Sequence, residues 1–577
     1  MNRRDSSLVL ALVAALAVVA ALVGLPAMQP AASIDPTEPP ITAGSPQPYR
    51  EGVLGHPASI SPLTARTQAD RDLVALLFSG LVRNGPNGTL VPDLASRWSV
   101  ADGGRTWTFE LRPDARWHDG EPVTADDVVF TVRTLQDPAY KGPSGSSWIG
   151  VTAHADGLRT VSFTLETPLG GFLQAATQPI APAHLLGEVP VSTLPSHPFG
   201  REPVGSGPFA LATLEPDLAV LHPPAPVADP DDRTTDPSFR PTDSLATPRP
   251  TARPELPRPY LDGIEFHYYE DPAALAADYA AGRLDGVSGV DPTVAAELAE
   301  AQGSFLLRYP GSTLTAVLFN LRPGQPGFGT PEARTALLQA IDRDALVADA
   351  FEGAAVLAHC PVPPSSPLYD PTVDAAVDHD VAEAAAALEA LDWTKEDGRW
   401  RLPKAQEAFT IELLSPDEAS NPVVHAAAAS VARDWTAFGL DVEHVALPAG
   451  EFVSARLSKG DFSAAVVDLA IGLDPDLYPL LASTQTVSGG SNVLGLQDPA
   501  LDPLLVAART PGSDADRSKA YAALQAQLAK GRYLLPLAFA DETVVLHERV
   551  SGPVVRQVAD PSDRFWDVLT WRLADDR

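Results

Sequence analysis

The chain has 577 residues, 45% of them hydrophobic, ample for a sizeable core and for about two to four domains. Its 74 acidic against 41 basic residues give a formal net charge of −33, which excludes a nucleic-acid partner, since phosphate backbones require basic surfaces. A single cysteine, Cys360, excludes an internal disulfide, and with only His359 beside it no tetrahedral metal site is built; a half-buried free thiol is expected.

Two arginines precede Leu8–Leu25, an uncharged run long enough to span roughly 27 Å as a helix, close to a bilayer's hydrocarbon thickness. The nearest small-residue cleavage site, Ala31–Ser33, lies behind Pro26 and Pro30 and is poor. The run therefore reads as an uncleaved anchor over residues 1–25 with the remainder outside, the alternative being a cleaved secretory signal. Residues 26–50 carry seven prolines and no apolar period, the composition of a semi-extended spacer.

RTWTFELRPDARWHDG alternates Trp107, Phe109 and Leu111 inward and turns at Pro113–Asp114, which predicts a strand entering a loop. Thr124 caps a helix with Asp127 in a capping box, which accounts for the paired carboxylates Asp126–Asp127. LRTVSFTLE (158–166) is a second alternating strand. Residues 222–259 contain eleven prolines and few large apolar side chains, so they are expected to form a loosely held surface excursion.

Thr330–Pro331 starts a helix with Ala333, Leu337, Ala340 and Ile341 on one face. FTIELLSP (409–416) reads as a strand. Val424, Ala428, Val431, Trp435 and Phe438 then follow at helical spacing, and Gly439 closes that helix. LDVEHVAL (440–447), a helix near 449–459 and the strand 461–471 complete a β-α-β-α-β run, hence an α/β lobe. Asp474 and Asp476, in LDPDLYP, read as ordinary turn formers. No H-E-x-x-H, G-x-S-x-G, Walker or C-x-x-C pattern occurs, so no enzyme, cofactor or metal site is expected.

LFSGLVRNGPNGTLVPDLASRWSVADGGRTWTFELRPDARWHDGEPVTADDVVFTV resembles the signature region of the family 5 extracellular solute-binding proteins, the peptide, nickel and related receptors of ABC importers. GSGPFAL (205–211), YAAGRLDGV (279–287), FNLRPGQPGFGTPEARTALLQAIDRDALV and SNVLGLQDPALDPLLVAA (491–508) resemble further blocks of that family, in order, from about Pro57 to the C-terminus. The resemblance implies a two-lobed α/β periplasmic-binding-protein-like fold, preceded here by the N-terminal hydrophobic helix. Lobe one would hold 51–311, with an inserted sub-domain at about 95–200 and the 222–259 excursion, plus a return segment 546–577. Lobe two would hold 312–545.

The implied function is capture of an oligopeptide-like solute by lobe closure and delivery to ABC permease subunits. The alternatives are a non-peptide solute, such as a sugar or chelated metal, or a membrane-anchored interaction or sensory protein that no longer serves import. The family's E-G-L lip reads Ser79–Gly80–Leu81 here, and Trp148 stands where relatives place an aromatic lid residue. The G-W-x-x-D loop that pairs a peptide amine reads Asp468–Leu469–Ala470–Ile471–Gly472, which makes Asp468 the substitute carboxylate. Asn492 follows the glycines of SGGSN and is expected to shape the cleft floor.

Overall fold

The computed structural model describes residues 47–574, apart from 86–88, 143–147, 225–258, 326, 374, 406–408 and 487–489. The expected anchor at 1–25 and nearly all of the spacer and the Pro-rich excursion lie outside the described residues. Among the described residues no helix is long and apolar enough to cross a membrane. The first strand, Tyr49–Leu54, starts inside the span expected to be spacer, and the strand Leu218–His222 runs into the span expected to be excursion.

Among the described residues, eleven strands form the main sheet. One side is a parallel trio in which Thr410–Pro416 lies between Asp441–Leu447 and Ala464–Ala470. The other side sets Tyr49–Leu54 parallel to both Ile264–Tyr269 and Gly286–Ser288, with the hairpin Ala210–Leu214/Leu218–His222 at its edge. Two long antiparallel strands, Ser304–Phe319 and Leu534–His547, join the sides.

Their ladder breaks between the pairs Pro310–Asp541 and Leu314–Phe539. At the break Gly311 passes so close to the Ala540 carbonyl that a Cβ would overlap it. The break also divides the core. Before it, Phe305, Leu307, Tyr309, Val544 and Leu546 pack with the residues around Tyr49 and Phe266. Beyond it, Leu314, Ala316, Leu534 and Phe539 join one cluster, and Val317, Phe319, Leu535 and Leu537 another around Trp435.

Local signals formed the elements as expected where they are short-range. Thr124 and Asp127 make the capping box of Ala125–Gln136, with the Thr124 amide donating to Asp127 Oδ2 at 2.8 Å. Asn421 caps Pro422–Phe438 by accepting from the Val424 amide at 3.0 Å, and Gly439 ends it at φ 105°. The helix from Pro331 stops at Gln339, so Ile341 is buried just beyond it rather than on its face. The helix expected near 449–459 is broken into the turns Ala449–Glu451, Phe452–Arg456 and Leu457–Lys459.

A separate four-stranded antiparallel sheet comprises Ala95–Ala101, Thr106–Leu111, Thr160–Leu165 and Val151–Ala155. Trp107, Phe109 and Leu111 point into its core as their alternation predicts. Cys360 is fully rather than half buried, and burial pushes its thiol up to about 11.

Candidate functional site

A cavity of about 1370 Å³ opens against the first part of the chain. Its walls come from the helix Gln68–Leu77, the stretch 78–84, the turn 92–94, the hairpin 112–118, the segment 174–179, the loop 206–208 and the return segment 559–569. Among the described residues, none between 312 and 545 lines it.

Ser79 and Gly80 line the cavity, and backbone bonds fix them there. The Ser79 carbonyl accepts from Ile180, the Gly80 carbonyl from Leu94, and the Leu81 amide donates to Ala176, all within 3.1 Å. A Cβ at Gly80 would lie 2.5 Å from the Thr177 carbonyl oxygen, so only glycine permits this approach. Leu81 turns the other way and packs in the core, at 1% exposure. It therefore offers nothing to a solute, because the 93–95 backbone closes over it through bonds to its carbonyl.

Trp148 reaches the cavity lining yet is only 2% exposed. Its ring sits 5.8 Å from both Phe163 and Phe172, the latter edge-on. The expected lid aromatic is thus a core residue of the inserted sheet: its neighbours bury the ring that a lip position would expose.

Asp468 and Asn492 lie on the far side of the ladder break. The exposed Asp468, at the carboxyl end of the parallel trio, accepts from Thr315 Oγ1 at 2.6 Å and from Asn421 Nδ2 at 3.1 Å. Asn492 is 2% exposed; its Nδ2 donates to the Ala482 and Leu496 carbonyls at 3.0 Å, and its Oδ1 accepts from the Leu496 amide at 3.1 Å. With three of its four hydrogen-bonding positions engaged by the backbone and its side chain buried, it shapes a loop rather than a solute contact. Replacing Asn492 by Ala strands two buried backbone groups, the amide and carbonyl of Leu496, while the Ala482 carbonyl keeps the Gln485 amide; it is expected to lower the unfolding free energy by about 1–3 kcal/mol, read by chemical denaturation.

Several cavity residues escaped the sequence reading. Arg71 pairs with Asp560 at 2.6 Å. Burial pushes the Asp93 carboxyl above its ordinary value, against the pull of Arg112 and Arg83. Burial pushes the His118 imidazole down, so it is uncharged at neutral pH and bonds the Gly207 carbonyl at 3.1 Å. The only sequence hint was the density of arginines around LRPDARW. Ionic groups of both signs line the cavity and suit a polar solute. Among the described residues no three His, Cys, Asp or Glu side chains come together to hold a metal ion.

The paired carboxylates of LDPDLYP are more than turn formers. Asp474 receives both oxygens' bonds from Arg517, at 2.9 and 2.8 Å, and Asp476 pairs with Arg509 at 3.0 Å. Each guanidinium lies over a tyrosine ring, Arg517 at 5.6 Å from Tyr521 and Arg509 at 4.4 Å from Tyr478.

Comparison with known proteins agrees with this architecture. Protein XP55 of Streptomyces lividans is 29% identical over 508 residues, covering 87% of this chain and 85% of the relative. The oligopeptide-binding protein AppA of Bacillus subtilis, solved with a nonapeptide, shares the fold at a TM-score of 0.67 and 23% identity, covering 92% of this chain and all of that one. NikZ of Campylobacter jejuni, solved with Ni(L-His), shares it at 0.66 and 21% identity, covering 91% and 99%. Residues 89–491 match the model for bacterial extracellular solute-binding proteins, family 5 Middle. This chain belongs to the family 5 bacterial extracellular solute-binding proteins.

Proposed function

We propose that the chain captures an oligopeptide-like solute between two hinged lobes and delivers it to the permease of an ABC importer. The observation that carries this reading is the break in the Ser304–Phe319/Leu534–His547 ladder, where two continuous strands pass from one core to another. A ligand that touches both sides binds the closed form better and shifts the population toward it. Lobe one comprises 51–311 with the inserted sub-domain at 95–200 and the return segment 546–577; lobe two comprises 312–545. The oligopeptide complex of the AppA relative supports the solute class.

In lobe two the acid proposed to meet the solute is Asp468. Asp474 is already neutralised by Arg517, whereas Asp468 is oriented by two neutral donors, which leaves its charge available for a solute amine. A charge-assisted hydrogen bond of about 1.5–3 kcal/mol corresponds to roughly 10- to 150-fold in affinity. Asp468→Asn is therefore expected to weaken binding by that factor for free peptides and to leave binding of N-acetylated peptides unchanged, as read by calorimetry on a panel of both. Equal affinities of wild type and variant for free peptides would remove Asp468 from the site. Binding of nickel–histidine but of no peptide would favour the non-peptide reading, for which the NikZ complex is the precedent.

The run Leu8–Leu25 is proposed to hold the chain at the outer face of the membrane. N-terminal sequencing of protein from its native host decides this, since a mature chain starting near Ile34 would have lost the anchor.

A further inference from the structure

Away from the hinge strands, the two sides of the ladder break meet again, and they do so through glycines. The Gly170 amide donates to the Arg509 carbonyl at 2.6 Å. A Cβ on Gly171 would lie 2.8 Å from Asp474 Cγ, one on Gly170 3.3 Å from the Arg509 oxygen, and one on Gly104 would overlap the Pro511 ring. Gly104 also sits at φ +92°, in a turn of the inserted sheet. Three glycines of the first part of the chain therefore face the turn 509–511 and Asp474 with no side chain between.

The counterface is rigid. Asp474 is held by both Arg517 bonds and by Tyr521 Oη at 3.3 Å, so it cannot swing away from an added Cβ. The contact otherwise consists of backbone atoms, the Arg517 Nε and the edge of a proline ring. Such a surface buries little apolar area, so it can dock and release where an interdigitated core cannot.

We infer that Gly104, Gly170 and Gly171 are positioning residues for solute capture, docking on the Arg509–Pro511 turn and Asp474 to hold the lobes closed. This rests on the hinged reading above. The glycines act as a distance gauge: any side chain there would wedge the contact open, and the Gly170–Arg509 amide-to-carbonyl bond sets how far the lobes approach at this point.

The test places spin labels on the full chain in detergent, at Leu158→Cys in the first part and Val506→Cys in the second, positions 63% and 50% exposed. Buried Cys360, with its raised thiol pKa, stays unlabelled. Adding Gly171→Trp is expected to lengthen the mean label distance by several ångströms. Pro511→Ser, which trims the counterface without adding bulk, is expected to broaden the distribution toward longer distances, and it decides the matter if Gly171→Trp does not fold. Unchanged distances overturn the latch. If the melting temperature is then also unchanged, the lobes never relied on this contact and the hinged reading stands. If it falls, the glycines are static packing within a single body, and the hinged reading fails with the latch.

Discussion

Replacing Arg564 by Met is expected to cost about 3–5 kcal/mol of unfolding free energy, the scale of breaking a buried ion pair by removing one partner. Arg564 is buried with two carboxylates. Its Nη1 donates to Asp72 Oδ1 and its Nη2 to Glu51 Oε1, both at 2.7 Å. Glu51 also accepts from Tyr49 Oη at 2.9 Å and Ser288 Oγ at 2.5 Å, and Asp72 from Gln68 Nε2 at 2.6 Å, so every acceptor is served. Burial alone would lower the guanidinium pKa, but the two carboxylates override it and hold the pKa well above its ordinary value.

Without the cation, two acids would share a dry site with neutral donors only. Burial already pushes Asp72 above its ordinary range, and the loss of Arg564 removes the largest opposing influence. The sign follows: a carboxyl whose folded pKa is raised gives up stability as pH rises through that pKa. Arg564→Met should therefore be penalised more at pH 8 than at pH 5, as read by chemical denaturation at both. A loss below about 1 kcal/mol at pH 8, the scale of an exposed ion pair, would show that the cluster is solvated.

That cluster also marks where reading the sequence stops. Glu51 and Arg564 are 513 residues apart, and no local pattern announces such a pairing. Capping boxes and helix stops were legible because their partners lie within a turn, as at Thr124–Asp127 and at Gly439. The β-α-β-α-β run over 409–471 was legible because each strand is separated from the next by a recognisable helix or turn segment, whereas the parallel pairing of its strands comes from the structure. The candidate site was less so. Ser79 and Gly80 were placed by resemblance and do line the cavity, but the Arg71–Asp560 pair joins its two ends across the whole chain. Asn492 shows the same limit from the other side. A polar residue after glycines reads equally well as a ligand contact or as a loop staple, and only the positions of the Ala482 and Leu496 carbonyls decide for the staple.

Trp148→Ala is expected to cost about 3–5 kcal/mol, the range for truncating a buried aromatic. The resemblance put this ring at a solute-facing lip, where its loss would weaken binding and spare the fold. Its surroundings argue for the opposite balance. The indole packs at 5.8 Å against both Phe163 and Phe172, which are themselves 5.3 Å apart, so three rings form one closed cluster. Trp107 joins through Phe172 at 5.4 Å, and Phe109 through Phe163 at 5.6 Å. Aromatic pairs of this kind contribute about 0.5–1.5 kcal/mol each beyond area burial. The backbone is tied in as well, since Gln136 Nε2 donates to the Trp148 carbonyl at 2.7 Å, linking it to the end of the helix Ala125–Gln136. Truncation would therefore hollow out the joint between that helix and the inserted sheet. Because the ring also touches the cavity lining, binding should weaken too, but only in step with the lost stability. Trp148→Phe, which keeps a ring in the cluster, should recover most of the loss on both counts. Denaturation and peptide calorimetry on the two variants separate the roles: a drop in affinity in Trp148→Ala with less than about 1 kcal/mol of destabilisation would put the indole back on the solute side.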